Sequence, residues 1–133
     1  MFSQYRLHHV GMISPSLDEA ERFMQTFELE EDYRGFVDPW HCWCIFTKAA
    51  NGGTPIELVV ATDGPLLRFN KGAGGVHHFA FEVPDIRAAM AWVESQEMRM
   101  IEPEPIKGAG DFWCNFLSPA STRGIQVELV QPF

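Results

Sequence analysis

At 133 residues, with 46% hydrophobic and 13% aromatic content, the chain has the make-up of one globular domain. A formal net charge of −8 without a basic stripe argues against nucleic-acid and anionic-membrane partners. No apolar run approaches the roughly 18 residues of a membrane span, and Met1-Phe2-Ser3-Gln4-Tyr5-Arg6 lacks a signal-peptide core, so a cytoplasmic protein with no membrane contact is expected.

Leu7 to Ile13 is a short apolar run that reads as a strand. Ser16-Leu17-Asp18-Glu19 then forms a capping box, and Leu17, Ala20, Met24 and Phe27 recur at helical spacing, predicting a helix with one apolar stripe. Asp32 to Phe36, Trp40 to Thr47 and Pro55 to Val60 read as three strands, the last two separated by the turn Asn51-Gly52-Gly53. Ala61 to Gly75 is a connection whose end, Lys71-Gly72-Ala73-Gly74-Gly75, reads as a flexible linker. Val76 to Val83 is the next strand, and Asp85 caps a helix whose Ile86, Ala89, Met90 and Val93 share a face. Met98 to Glu102, Phe112 to Leu117 and Ile125 to Val130 are three further expected strands, with loops at Lys107 to Gly110 and Pro119 to Gly124. The three cysteines, Cys42, Cys44 and Cys114, lie in strand-like segments without a second close pair. They are expected as buried reduced thiols rather than a zinc-thiolate site.

This order of elements occurs twice, and so do particular residues. His8-His9-Val10-Gly11-Met12 returns as His77-His78-Phe79-Ala80-Phe81, and Ile56-Glu57-Leu58-Val59 returns as Val127-Glu128-Leu129-Val130. The offsets are 69 residues from His9 to His78 and 71 from Glu57 to Glu128. A period that covers the whole chain dictates the fold class. The expectation is an α+β protein, one domain over 1–133, built of two tandem βαβββ modules at 1–62 and 74–133.

A glutamate in the middle of Ile-Glu-Leu-Val is costly against a dry core unless a cation or hydrogen bonds compensate it. It occurs in the closing strand of both halves, and the opening strand of both carries a histidine. Imidazole nitrogen with carboxylate oxygen suits Zn, Fe, Mn, Co or Ni without choosing among them. The expected ligands of one divalent ion are therefore His9, Glu57, His78 and Glu128. Within each His-His pair the second member is favoured because its face has a small neighbour, Gly11 or Ala80. His8 and His77 then point away.

Leu7-His8-His9-Val10-Gly11, Gly74-Gly75-Val76-His77-His78-Phe79-Ala80-Phe81-Glu82-Val83, Gly108-Ala109-Gly110 and Gly124-Ile125-Gln126-Val127-Glu128-Leu129-Val130 together make the chain resemble the vicinal oxygen chelate superfamily. Glyoxalase I, bleomycin-resistance proteins and extradiol dioxygenases belong to it, and the likeness is strongest to its methylmalonyl-CoA epimerase branch. The resemblance implies curved mixed sheets that form a metal-bearing cleft, the same four ligands and a small-molecule substrate with an acidic α-proton, a CoA thioester in the epimerase case. It also implies Glu128 as one acid–base group, since inversion of a carbon centre needs two.

Two stretches depart from the epimerase pattern. Where that branch places a non-ligand Glu, this chain has Val37-Asp38-Pro39-Trp40-His41-Cys42, which leaves Asp38 or His41 as the second proton-transfer group. Where it usually has His-Pro-Lys, this chain has Ser118-Pro119-Ala120, so Lys107 or Arg123 would have to meet the CoA portion. The departures keep other readings open: a glyoxalase-like lyase or another enzyme of this fold on a different carbonyl compound, and behind it an Fe(II) dioxygenase or a drug-sequestering protein. Half-domains this small leave apolar sheet surface uncovered, so a homodimer is expected.

Overall fold

The computed structural model describes every residue from Met1 to Phe133. By their internal contacts the residues form two units, one of His9–His77 and one of His78–Phe133 joined by Met1–His8.

The first unit takes most of β1 (Leu7–Ile13), then α1 (Leu17–Thr26), β2 (Glu31–Val37), β3 (Cys42–Thr47) and β4 (Ile56–Ala61). Its strands lie in the order β2-β3-β4-β1, antiparallel except that β1 and β4 run parallel. The Ser16 hydroxyl accepts a hydrogen bond from the Glu19 N–H at 3.1 Å and so starts α1, a cap worth about 1 kcal/mol. Ala20 and Met24 of α1 pack on Ile45, Leu58 and Val60, so one face of the sheet is core.

Two expectations fail here. Leu17 and Phe27 are exposed rather than part of the apolar stripe, because α1 spans only Leu17–Thr26 and both lie at its ends, where the helix face has left the sheet. The stretch expected to begin β3 at Trp40 starts two residues later, since Asp38–Trp40 form a 3-10 turn and His41 takes a left-handed conformation with φ 51°.

The connection between the repeats is also more structured than a flexible linker. Pro65–Gly72 is 3-10 helical in part, and the Asn70 side-chain amide donates to the Gly74 carbonyl at 2.8 Å. Gly74 has φ 72°, and a Cβ there would stand 2.2 Å from the Ile13 carbonyl oxygen, so this glycine is required by a close approach of two backbones.

The second unit holds the rest of β5 (Gly75–Glu82), then α2 (Ile86–Ser95), β6 (Ile106–Lys107), β7 (Phe112–Phe116) and β8 (Val127–Pro132), in the order β5-β8-β7-β6. Its β5–β8 pair is parallel and its hairpins are antiparallel, as in the first unit. Asp85 caps α2 by accepting from the Ala88 N–H at 3.0 Å, and Ile86, Ala89, Met90 and Val93 bury against Leu117, Val127 and Leu129. The first eight residues pack on this unit and not on the module that follows them in sequence. Phe2 meets Phe81 edge-on at 5.0 Å and Trp92 at 5.3 Å, and the Arg6 carbonyl accepts from the Glu82 N–H at 3.0 Å.

The strand expected over Met98 to Glu102 is absent as a ladder. That segment keeps only an isolated bridge between Met100 and Leu117, and β6 forms later, at Ile106–Lys107. Pro103 and Pro105 lack the N–H groups that would extend the pairing. No helix is long and apolar enough to cross a membrane.

Candidate metal centre

Each unit carries one histidine–glutamate pair, built in the same way. In the first, parallel register sets Gly11 of β1 opposite Glu57 of β4, and antiparallel register sets Phe46 of β3 on the other side of Glu57. His9 lies two residues before Gly11, hence on the same face of β1. In the second, Ala80 of β5 stands opposite Glu128 of β8, Phe116 of β7 flanks Glu128 from the other side, and His78 lies two residues before Ala80. A small residue therefore stands on one side of each glutamate and an aromatic on the other.

The distances agree with this construction. His9 Nε2 is 3.8 Å from Glu57 Oε2, and His78 Nε2 is 3.2 Å from Glu128 Oε2. All four are buried, at 0% exposure for His9, 5% for Glu57, 5% for His78 and 3% for Glu128. The helix-packing side of the same strands is occupied by Ile45, Leu58 and Val60 in one unit and Leu117, Val127 and Leu129 in the other. The pairs therefore face away from α1 and α2. His8 and His77 are half-buried and rest against aromatic rings, Phe112 at 5.2 Å and Phe69 at 4.9 Å.

The donor chemistry fits a divalent ion. Two buried carboxylates, when ionised, bring two negative charges out of water, a cost of several kcal/mol each unless a cation or strong hydrogen bonds compensate it. Nitrogen and carboxylate oxygen are the ligand types of Zn, Mn, Fe, Co and Ni.

Asp38 and His41 are placed differently. Both are exposed, at the turn joining β2 to β3. In register this turn lies next to the Val37–Cys42 pair, while Phe46 is the residue beside Glu57. Four steps along β3 separate Cys42 from Phe46, about 13 Å at ~3.3 Å per residue. The His41 carbonyl accepts from the Thr62 N–H at 2.8 Å and from the Thr62 hydroxyl at 2.9 Å, which ties the turn to the end of β4.

Of the aromatic residues on β3 and β7, Phe46, Phe112 and Phe116 are buried, whereas Trp43 and Trp113 are exposed by 43% and 42% on the other side of their strands. Cys42, Cys44 and Cys114 are buried and form no disulfide, with the Cys42 and Cys44 sulfurs 3.8 Å apart on one face of β3. What the sequence reading missed is the pairing of phenyl and imidazole rings. His9 meets Phe46 edge-to-face at 5.1 Å and 85°, and His78 meets Phe116 at 5.0 Å and 86°. The alternation of Cys44 with Phe46 and of Cys114 with Phe116 at an offset of 70 residues was the available clue.

Known proteins place this architecture. A family model described as the glyoxalase/bleomycin resistance protein/dioxygenase superfamily matches residues 8–116. The mitochondrial methylmalonyl-CoA epimerase of Homo sapiens is 32% identical over 132 residues, covering 95% of this chain and 73% of that protein. The ethylmalonyl-CoA/methylmalonyl-CoA epimerase of Cereibacter sphaeroides is also 32% identical, covering 95% of this chain and 97% of its own length. Among solved structures, methylmalonyl-CoA epimerase from Mycobacterium tuberculosis superposes with a TM-score of 0.87 over 96% of this chain and 87% of that one, at 24% identity, which establishes the α+β fold. By its duplicated strand order, its paired histidines and glutamates and these matches, the chain belongs to the glyoxalase/bleomycin resistance protein/dioxygenase superfamily.

Proposed function

We propose that the protein is a metal-dependent epimerase that inverts a carbon bearing an acidic proton between a thioester and a carboxylate, with a methylmalonyl-CoA-type thioester as substrate. The observation that carries the reading is the duplicated buried His–Glu pair, at 3.8 Å and 3.2 Å, in a chain 32% identical over nearly its whole length to epimerases. His9, Glu57, His78 and Glu128 together hold one divalent ion, which among Co, Mn, Ni, Zn and Fe the donor set leaves open. Bound there, the ion supplies positive charge against the negative charge that develops as the α-proton leaves.

The rest falls to side chains of this chain. Glu128 takes the α-proton on a carboxylate oxygen, and its burial beside His78 keeps bulk water from competing for that proton. The opposite face of the carbon is served by Asp38 or His41. Lys107 and Arg123, both exposed, supply positive charge for the phosphates of the CoA portion. The active form is a homodimer working in the cytoplasm.

The test joins metal analysis to isotope exchange. Protein loaded with Co(II) should catalyse uptake of deuterium at the α-carbon of methylmalonyl-CoA, and His78→Ala should lose most of its bound metal with circular dichroism unchanged. Full metal occupancy in His78→Ala would overturn the shared ligand set. Metal-loaded protein that exchanges no acyl-CoA but does exchange a hydroxy-ketone would transfer the same chemistry to another carbonyl substrate. Consumption of oxygen with Fe(II) would replace epimerisation by oxygenation.

A further inference from the structure

We propose that Phe46 and Phe116 are positioning residues that hold the imidazoles of His9 and His78 in their ligating orientation before any ion arrives. The proposal rests on the metal reading above and concerns two side chains that this reading does not use. Both phenyl rings are buried, at 2% and 8% exposure, yet neither belongs to the cores that pack on α1 or α2. They lie on the strand face that carries Glu57 and Glu128, each directly beside its glutamate in register.

The ring geometry repeats almost unchanged. The centroid distances are 5.1 Å and 5.0 Å, and the interplanar angles 85° and 86°. A perpendicular contact between aromatic rings is favoured by their quadrupoles, by about 0.5–1.5 kcal/mol. Turning the imidazole about its χ2 bond by a quarter-turn would lose that perpendicular contact. The plane that carries Nε2 is therefore set by a hydrocarbon neighbour. In the first unit a further ring backs the arrangement: Tyr33, paired with Phe46 in register, stacks on it at 4.8 Å and 11°.

A ligand whose ring is already oriented loses less side-chain freedom on binding, and partners that orient metal-binding histidines typically change affinity by 10- to 100-fold. Phe46→Leu and Phe116→Leu keep an apolar side chain of lesser bulk and remove the ring, Phe46→Tyr keeps the ring, and Tyr33→Leu removes the backing from a half-buried position. Co(II) titration of the folded proteins should show each phenylalanine-to-leucine variant binding about tenfold more weakly, with altered d–d absorption, while Phe46→Tyr stays within about twofold of wild type. In metal-free wild type the ring protons of His9 and His78 should be shifted in proton NMR by the neighbouring phenyl currents. Phe46→Leu should release the His9 shift alone, and Phe116→Leu the His78 shift alone.

Wild-type affinity and an unaltered spectrum in both leucine variants would overturn the positioning role while leaving the metal site intact. Wild-type protein that takes up no Co(II) would overturn both. If the leucine variants do not fold, the wild-type ring-proton shifts and the Tyr33→Leu titration decide: unshifted histidine protons overturn the proposal, and shifted protons with weakened Co(II) binding in Tyr33→Leu support it.

Discussion

Asn115 holds Glu102 as a neighbouring strand would. Its Oδ1 accepts from the Glu102 N–H at 3.1 Å while its Nδ2 donates to the Glu102 carbonyl at 2.9 Å, so one side chain satisfies both backbone groups of a residue 13 positions away. The same Oδ1 accepts from the Phe116 N–H at 2.9 Å, and Asn115 is wholly buried. Truncation would leave buried backbone donors and an acceptor to find water. Asn115→Ala should therefore cost about 3 kcal/mol, read as a lower urea midpoint. A loss below about 1 kcal/mol would mean that the loop at Glu102 rearranges to bond elsewhere.

This contact also marks where the sequence stops being legible. Strands and helices whose pattern is carried by backbone pairing and a single buried face, such as β1, β4, β8 and α2, can be read from periodicity alone. Met98 to Glu102 has the composition of a strand, but its pairing is confined to the Ile101 N–H with the Phe116 carbonyl and the Ser118 N–H with the Arg99 carbonyl, a side chain takes over at Glu102, and no period announces that. The candidate site was legible for a different reason. Glu57 and Glu128 break an apolar pattern at equivalent places, and a fold that repeats must tolerate or use such a break twice. The rings of Phe46 and Phe116 are apolar residues in apolar strands and break nothing, so their contact with the histidines was invisible until the register was known.

Both α-helices end with glutamate where glycine is usual. Glu28 and Glu97 have φ of 53° and 62°. In each helix the following residue bonds back, Leu29 N–H to the Met24 carbonyl at 2.8 Å and Met98 N–H to the Val93 carbonyl at 3.3 Å, while Glu28 and Glu97 bond to Gln25 and Glu94. This is the Schellman arrangement, which places its penultimate residue in the left-handed region. A side chain there is strained by about 1 kcal/mol, and glycine relieves the strain at some cost in unfolded-state entropy. Glu28→Gly and Glu97→Gly should each raise stability by about 0.5 kcal/mol, seen as an upward shift in Tm. A fall in Tm for both would show that the glutamates make compensating contacts.

Acid should weaken one surface pair in a predictable direction. Hydrogen bonding from the Arg34 guanidinium, with its charge, holds the Glu31 carboxyl below its ordinary range. A lowered folded-state value stabilises the protein above the unfolded value, ~4.3 for Glu, and that stabilisation is lost as pH falls through the folded value. Both side chains are about a third exposed, at 35% and 34%, so solvent screening limits the pair to about 0.5 kcal/mol. Arg34→Gln should thus be slightly less stable than wild type at pH 7, and the two should converge below about pH 4. A gap that widened in acid would contradict the assignment.

The last prediction concerns the second proton-transfer group. Epimerisation needs a donor on the face of the carbon opposite to Glu128, and in this chain the turn between β2 and β3 offers Asp38 and His41, exposed and about 13 Å along the sheet from the level of Glu57. The separation along β3 between the turn and the level of Glu57 makes the two functions separable: substitution at the turn should leave metal binding untouched. Asp38→Asn and His41→Gln should each retain wild-type Co(II) content, and the one that carries the proton should lose about a hundredfold in α-deuterium uptake from methylmalonyl-CoA. Should neither substitution slow exchange, the proton on that face comes from water or from another side chain, and the turn serves only to close the sheet.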